Sequence, residues 1–115
     1  MFSTPTKAEG QYDGIYSLTP DIGYVTIKEQ NGTLVVILNQ TVPEPIWNVM
    51  MGTLNGSSTR LSSILSDSLD VVNVTIDVQF TSSNSFQAMQ VSCLPSYDYD
   101  CLLPNGSLVT GHKIW

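Results

Sequence analysis

The chain is poor in charge, above all in positive charge. Its 115 residues include four Lys or Arg, ten Asp or Glu and one His, for a formal net charge of −6. Charged residues make up 12% of the chain, about half the share of an average domain. Four cations cannot neutralise a run of phosphates, which excludes nucleic acid as a partner. The same shortage argues against docking on an anionic membrane surface. Long apolar runs are also missing. The longest, Leu34 to Leu38, falls far short of the ~20 residues a spanning helix needs, so no membrane insertion is expected. Metal ligands are scarce too. Cys93 and Cys101 are the only cysteines and His112 is the only histidine, whereas a zinc knuckle wants two close ligand pairs. No cofactor is expected.

A chain of this length fits one domain and can bury about 65% of the surface its unfolded form would expose. Met1 to Glu9 is polar and lacks the apolar centre of a signal peptide. It reads as a loose tail over residues 1–9, ahead of a single domain over 10–115. An even cysteine count beside a turn suits a disulfide between Cys93 and Cys101, and a disulfide implies an oxidising compartment. The competing reading is two buried thiols. With the bridge, the expected location is secreted or periplasmic, the chain then being a mature form.

Five Asn-x-Ser/Thr triplets occur, at Asn31, Asn39, Asn55, Asn73 and Asn105. Three of them, Asn31-Gly32, Asn55-Gly56 and Asn105-Gly106, are hairpin turn pairs, because Asn and Gly tolerate the positive φ of a type I′ turn. Turn chemistry is the favoured reading over glycan attachment.

Between the turns lie apolar residues at a period of two. From Val72 to Phe80 every even position is apolar and every odd one polar. This is the signature of a strand with one face in a core and one in water, and it makes Asp77 a solvated carboxylate. Ile22 to Glu29 follows the rule less fully. Thr33 to Asn39 is apolar on both faces and must be covered or form a subunit contact. Ile46 to Leu54 offers Trp47, Val49 and Met51 as one apolar face. Ser85 to Cys93 changes phase between Ala88 and Met89, which suggests a β-bulge. Leu108 to Trp115 supplies a closing strand. Residues 58–71 fit both a strand and a short helix, with the strand favoured. The expected fold is all-β: an antiparallel meander of about seven or eight strands, closed as a small lipocalin-like barrel or packed as a two-sheet sandwich.

Gly14-Ile15-Tyr16, Pro20, Gly23-Tyr24-Val25, Asn31-Gly32-Thr33-Leu34, Pro45-Ile46-Trp47 and Gly52-Thr53-Leu54 follow one another in order. This order resembles a β-rich domain of unknown function found in exported proteobacterial proteins. The resemblance runs loosely over residues 10–115. It departs where Tyr16 stands in place of a preferred Trp and where the Cys93–Cys101 segment is added. It implies a bacterial exported β-domain and carries over no catalytic residue.

Nucleophilic catalysis needs a base within reach of an activated Ser or Cys. His112 lies beside Gly111 with no nucleophile elbow in the chain, and reads as a surface imidazole. A hydrolase with paired acids needs one carboxyl buried and raised in pKa, yet no acid falls on the apolar face of a clearly alternating strand such as Val72 to Phe80. Asp98 and Asp100, in Tyr97-Asp98-Tyr99-Asp100, are weak calcium candidates, since two carboxylates rarely suffice. Met50, Met51 and Met89 read as core filler. The remaining aromatics suggest a stacking surface. The expected function is therefore a non-enzymatic binding or interaction domain. Its ligand, a small molecule, glycan or protein, would meet Tyr16, Tyr24, Trp47, Tyr97 and Tyr99 at one end of the fold. The alternatives are a structural domain that forms a homodimer through its two-sided apolar strand, and a carbohydrate-active hydrolase using paired acids.

Overall fold

Alternation at a period of two becomes, in the computed structural model, eight strands over the described residues 10–41, 45–66, 73–94 and 106–115. They are β1 (Gly14–Thr19), β2 (Gly23–Gln30), β3 (Thr33–Gln40), β4 (Ile46–Thr53), β5 (Ser58–Ser66), β6 (Asn73–Ser82), β7 (Ser85–Leu94) and β8 (Leu108–Lys113). Each pairs antiparallel with the next, and β8 returns to β1 to close a barrel in plain meander order. The barrel, rather than the sandwich, is the form taken. Closure leaves no unpaired strand edge. Residues 58–66 are strand, so the helical reading of that segment fails as far as Ser66. Its remainder, residues 1–9 and the segment containing Cys101 lie outside the described residues.

Turn chemistry sets the hairpins. Asn31 and Gly32 have φ of 54° and 79°, as a type I′ turn between β2 and β3 requires. The β4–β5 hairpin differs from the sequence expectation. Asn55 and Ser58 exchange both backbone hydrogen bonds, so Gly56 and Ser57 are the central residues. Gly56 has φ of 66°, matching a turn with glycine first, as in type II′.

The β-bulge in β7 is present but sits later than expected. Thr75 faces Ser92 while Ile76 faces Gln90, which leaves Val91 as the extra residue. Phe86, Ala88 and Gln90 all point inward, and Met89 is exposed. The apolar character of Met89 misplaced the phase change. A second irregularity, between Val49 and Met50 in the β4–β5 ladder, leaves Ile64 unpaired on β5.

Strand β4 presents the opposite face to the one its sequence advertises. Asn48 and Met50 are buried, whereas Trp47 and Met51 are exposed. Register with β3 decides it: Met50 pairs with Val36 and Asn48 with Leu38, so these share the inward face, while Trp47, Val49 and Met51 pair with the outward Asn39, Ile37 and Val35. Among the methionines singled out as core filler, only Met50 is buried; Met51 and Met89 are on the outer wall.

Candidate functional site

The two ends of the barrel are built differently. One end gathers the tight hairpins β2–β3, β4–β5 and β6–β7, and it is filled with aromatic rings. Tyr12 stacks on Phe80 with centroids 3.8 Å apart. Phe86 meets Tyr16 at 5.3 Å and Phe80 at 6.0 Å. Such contacts add stabilisation beyond area burial alone. Gly111 makes this packing possible, because a Cβ there would overlap the Phe86 ring. Tyr16 is fully buried, and its hydroxyl donates to the carbonyl of Tyr12 at 2.8 Å and lies 3.3 Å from that of Ser83. Burial, helped by Asp13 and Tyr12, pushes the Tyr16 phenol up from 10.0 to about 12.

Tyr12 reaches its place because the preceding turn is tied down. The Gly10 N–H donates to the Glu29 carboxylate, and the Glu29 N–H donates to Asp13 at 2.7 Å. Asp13 also accepts a hydrogen bond from Lys28 at 2.7 Å. Lys113 lies over the Tyr16 ring, 5.5 Å from its centroid, within the range of a cation–π contact. Together these close the end.

Beyond the plug the interior is not filled. A cavity of about 80 Å³ lies between Leu18, Ile27, Val36, Met50, Val78 and Ala88, and extends towards Ile22, Leu38, Ile76 and Val109. Among its described lining residues only Gln90 is polar, and none is acidic. The volume is about half that of an engineered apolar cavity that admits benzene. Towards the far end the inward positions turn polar: Gln40, Asn48 and Gln90 are all buried. Asn48 Oδ1 has no hydrogen-bond partner.

The residues expected to form one ligand site are not brought together. Tyr16 is inside, in the plug. Tyr24 and Trp47 are on the outer wall, on either side of Asn39, their common cross-strand partner. Their parity separates them from Tyr16, since Tyr24 pairs with Ser17 and not with Tyr16. Tyr97 and Tyr99 lie outside the described residues, as do Asp98 and Asp100. Asp77 sits on the outer wall, where Arg60 binds both of its carboxylate oxygens at 2.7 and 2.9 Å. That hydrogen-bonded guanidinium holds the Asp77 carboxyl below its usual range. His112 is exposed on β8 between Ser17 and Ser85. Cys93 is buried near the end of β7, and Cys101 is outside the described residues.

Sequence reasoning misses the inward polar residues and the plug. Taking Trp47, Val49 and Met51 as the inward face, and placing a phase change between Ala88 and Met89, leaves Asn48 and Gln90 outside. The available signal was parity, since each stands two positions from a buried apolar residue, Met50 or Ala88. No family model, no curated protein and no solved structure matches the chain.

Proposed function

We propose that this chain is an exported, non-enzymatic binding domain that holds a small apolar molecule inside its barrel. The observation that carries the reading is the apolar cavity, open space in an interior whose opposite end is packed solid. Ligand sites are concave and mostly apolar, with few polar groups to fix orientation, and Gln90 fits that description. With no acid among the described lining residues, the paired-acid hydrolase gains no support. Export to the periplasm or beyond, and a Cys93–Cys101 disulfide near the far end, belong to the same proposal. Alkylation followed by intact mass measurement tests the bridge: no alkylation without reductant supports it, and two modified thiols refute it.

The binding reading is tested by a panel of small apolar compounds, read as shifts in the melting midpoint. A ligand present at 100 times its Kd adds about 2.7 kcal/mol of stability. Wild type is expected to respond to at least one compound, and Ala88→Leu, which fills the cavity, to none. No response in wild type, or an equal response in both proteins, contradicts the reading.

A second reading, a homodimer, is favoured by the outer wall of β3 and β4. Ile37, Trp47 and Met51 are exposed there, with Val35 and Val49 between them half-buried. A closed barrel has no edge to pair, so association must use a face. With a net charge of −6 per copy, two chains approach best where no acid projects, and these outward positions carry none. Light scattering over a range of concentrations is expected to show a rising mass that Ile37→Lys abolishes. A constant monomer mass refutes this reading.

A further inference from the structure

The outer wall of β5 to β8 carries a second concave surface, independent of the cavity inside. Pairing across these four strands sets Arg60, Asp77, Met89 and Leu108 in one row, each opposite the next. Gln79 and Gln87 stand opposite one another in the adjoining row, two residues along each strand and so on the same face. Both rows, with Leu54 and Asn55 of the β4–β5 hairpin, line an open groove of about 790 Å³, within the size range of small-molecule sites.

Charge and polarity define what fits. The chain has a net charge of −6, yet Arg60 and Asp77 are the only charged residues among the described lining of the groove. They bind each other at 2.7 and 2.9 Å, so the groove is neutral. Gln79 is held as well, its Nε2 donating to Ser57 Oγ at 2.7 Å, and groups fixed beforehand lose less freedom on binding. Beside them Met89 and Leu108 are 39% and 68% exposed. A wholly apolar ligand would bury the ion pair and the amides without partners. An extended peptide gains most from an open strand edge, and the closed barrel has none. A sugar meets both demands. Its neighbouring hydroxyls match the paired donors and acceptors of guanidinium, carboxylate and carboxamide groups, and its C–H face is apolar. Four strands span about 14 Å, longer than one sugar ring. We propose that this groove binds a neutral oligosaccharide of two or more rings, with Met89 and Leu108 against a C–H face and Arg60, Asp77, Gln79 and Gln87 bonded to hydroxyls.

The probes are cellotetraose, maltotetraose and N-acetylated chitotetraose, with tetragalacturonate as an acidic control and tetraglycine as a peptide control. Each is titrated into isotope-labelled wild type, Gln87→Ala and Arg60→Ala and followed by NMR. At least one neutral sugar is expected to shift the backbone signals of Arg60, Gln79, Gln87 and Met89 saturably, and to bind more tightly than either control. Gln87→Ala is expected to weaken that binding about fivefold, as one net hydrogen bond allows. Arg60→Ala, which leaves Asp77 without its counter-charge, is expected to weaken it by at least as much. Three results overturn the proposal: no neutral sugar shifts the groove signals, both variants bind as wild type does, or a control binds there as tightly as the sugars. The map of shifts on wild type stands by itself should a variant not fold.

Discussion

The plugged end and the hollow end of this barrel are made from the same eight strands, yet they treat inward space in opposite ways. At the plug, four aromatic rings converge and a glycine, Gly111, stands where any side chain would collide with Phe86. At the other end, mid-sized aliphatic side chains leave a gap, and polar residues occupy inward positions. Small barrels of eight strands have an interior that side chains can just fill. Here the filling stops partway. The difference teaches that stability and any binding role are divided along the barrel axis: one end holds the fold closed, and the other has room to spare.

The sharpest way to break this comparison is to change the inward volume at each end. Phe86→Ala in the plug is expected to cost about 3–5 kcal/mol in chemical denaturation, since it removes a large buried ring from tight packing. Adding volume beside it is also costly: Gly111→Ala is expected to lose about 1–3 kcal/mol, because the new methyl overlaps the Phe86 ring and must push it out of its aromatic contacts. The equivalent enlargement at the hollow end, Ala88→Leu, is expected to cost less than about 1.5 kcal/mol or to stabilise, because the added atoms enter existing space. If Ala88→Leu proves as damaging as Gly111→Ala, the two ends are packed alike and the contrast fails.

A smaller effect comes from the buried phenol. The folded pKa of Tyr16 lies above its ordinary value of 10.0, at about 12. Stability is therefore undiminished by this group below pH 10 and falls as the pH climbs from there towards 12, because the unfolded chain ionises first. Alkaline titration followed by phenolate absorbance is expected to show the Tyr16 phenol ionising late, at about 12 in place of 10.0. In Tyr16→Phe the late-ionising phenol is absent. Ionisation of Tyr16 near pH 10, with the fold intact, places it in contact with water and opens the plug.

The smallest effect belongs to the outer wall. Arg60 and Asp77 are both substantially exposed, and an exposed ion pair contributes little and is screened by salt. Arg60→Ala is expected to leave the melting midpoint almost unchanged in physiological salt. Any contribution from the pair is present above pH 3.8 and is lost as the pH falls below it, since the partner holds the folded Asp77 carboxyl down. A large loss of stability in this variant means that the wall, as well as the interior, holds the barrel closed.

Much of the architecture was legible because it rests on local rules. The alternation through Val74, Ile76, Val78 and Phe80 fixed β6, and Asn31-Gly32 fixed a hairpin. Strand β1 was harder to see: Gly14 opens it, and its six residues are too few to set a rhythm. Which face of β4 points inward was unreadable locally, because Trp47, Val49 and Met51 look more like a core than Asn48 and Met50 do. Their placement depends on register with β3, a tertiary property. The candidate site was almost invisible for the same reason. An unfilled volume is a sum over side chains from all eight strands, and no short motif encodes it. Of the aromatic residues expected at a ligand platform, strand parity sends Tyr16 to the plug and Tyr24 and Trp47 to the outer wall.

The account rests on one end being solid and the other hollow. Xenon enters dry apolar cavities, so methyl NMR spectra recorded under xenon pressure test the claim directly. The resonances of Leu38, Met50, Ile76 and Val109 are expected to shift in a saturable way, while aromatic signals of Tyr12 and Phe80 stay in place. Unmoved methyl resonances, or equal movement at both ends, contradict it.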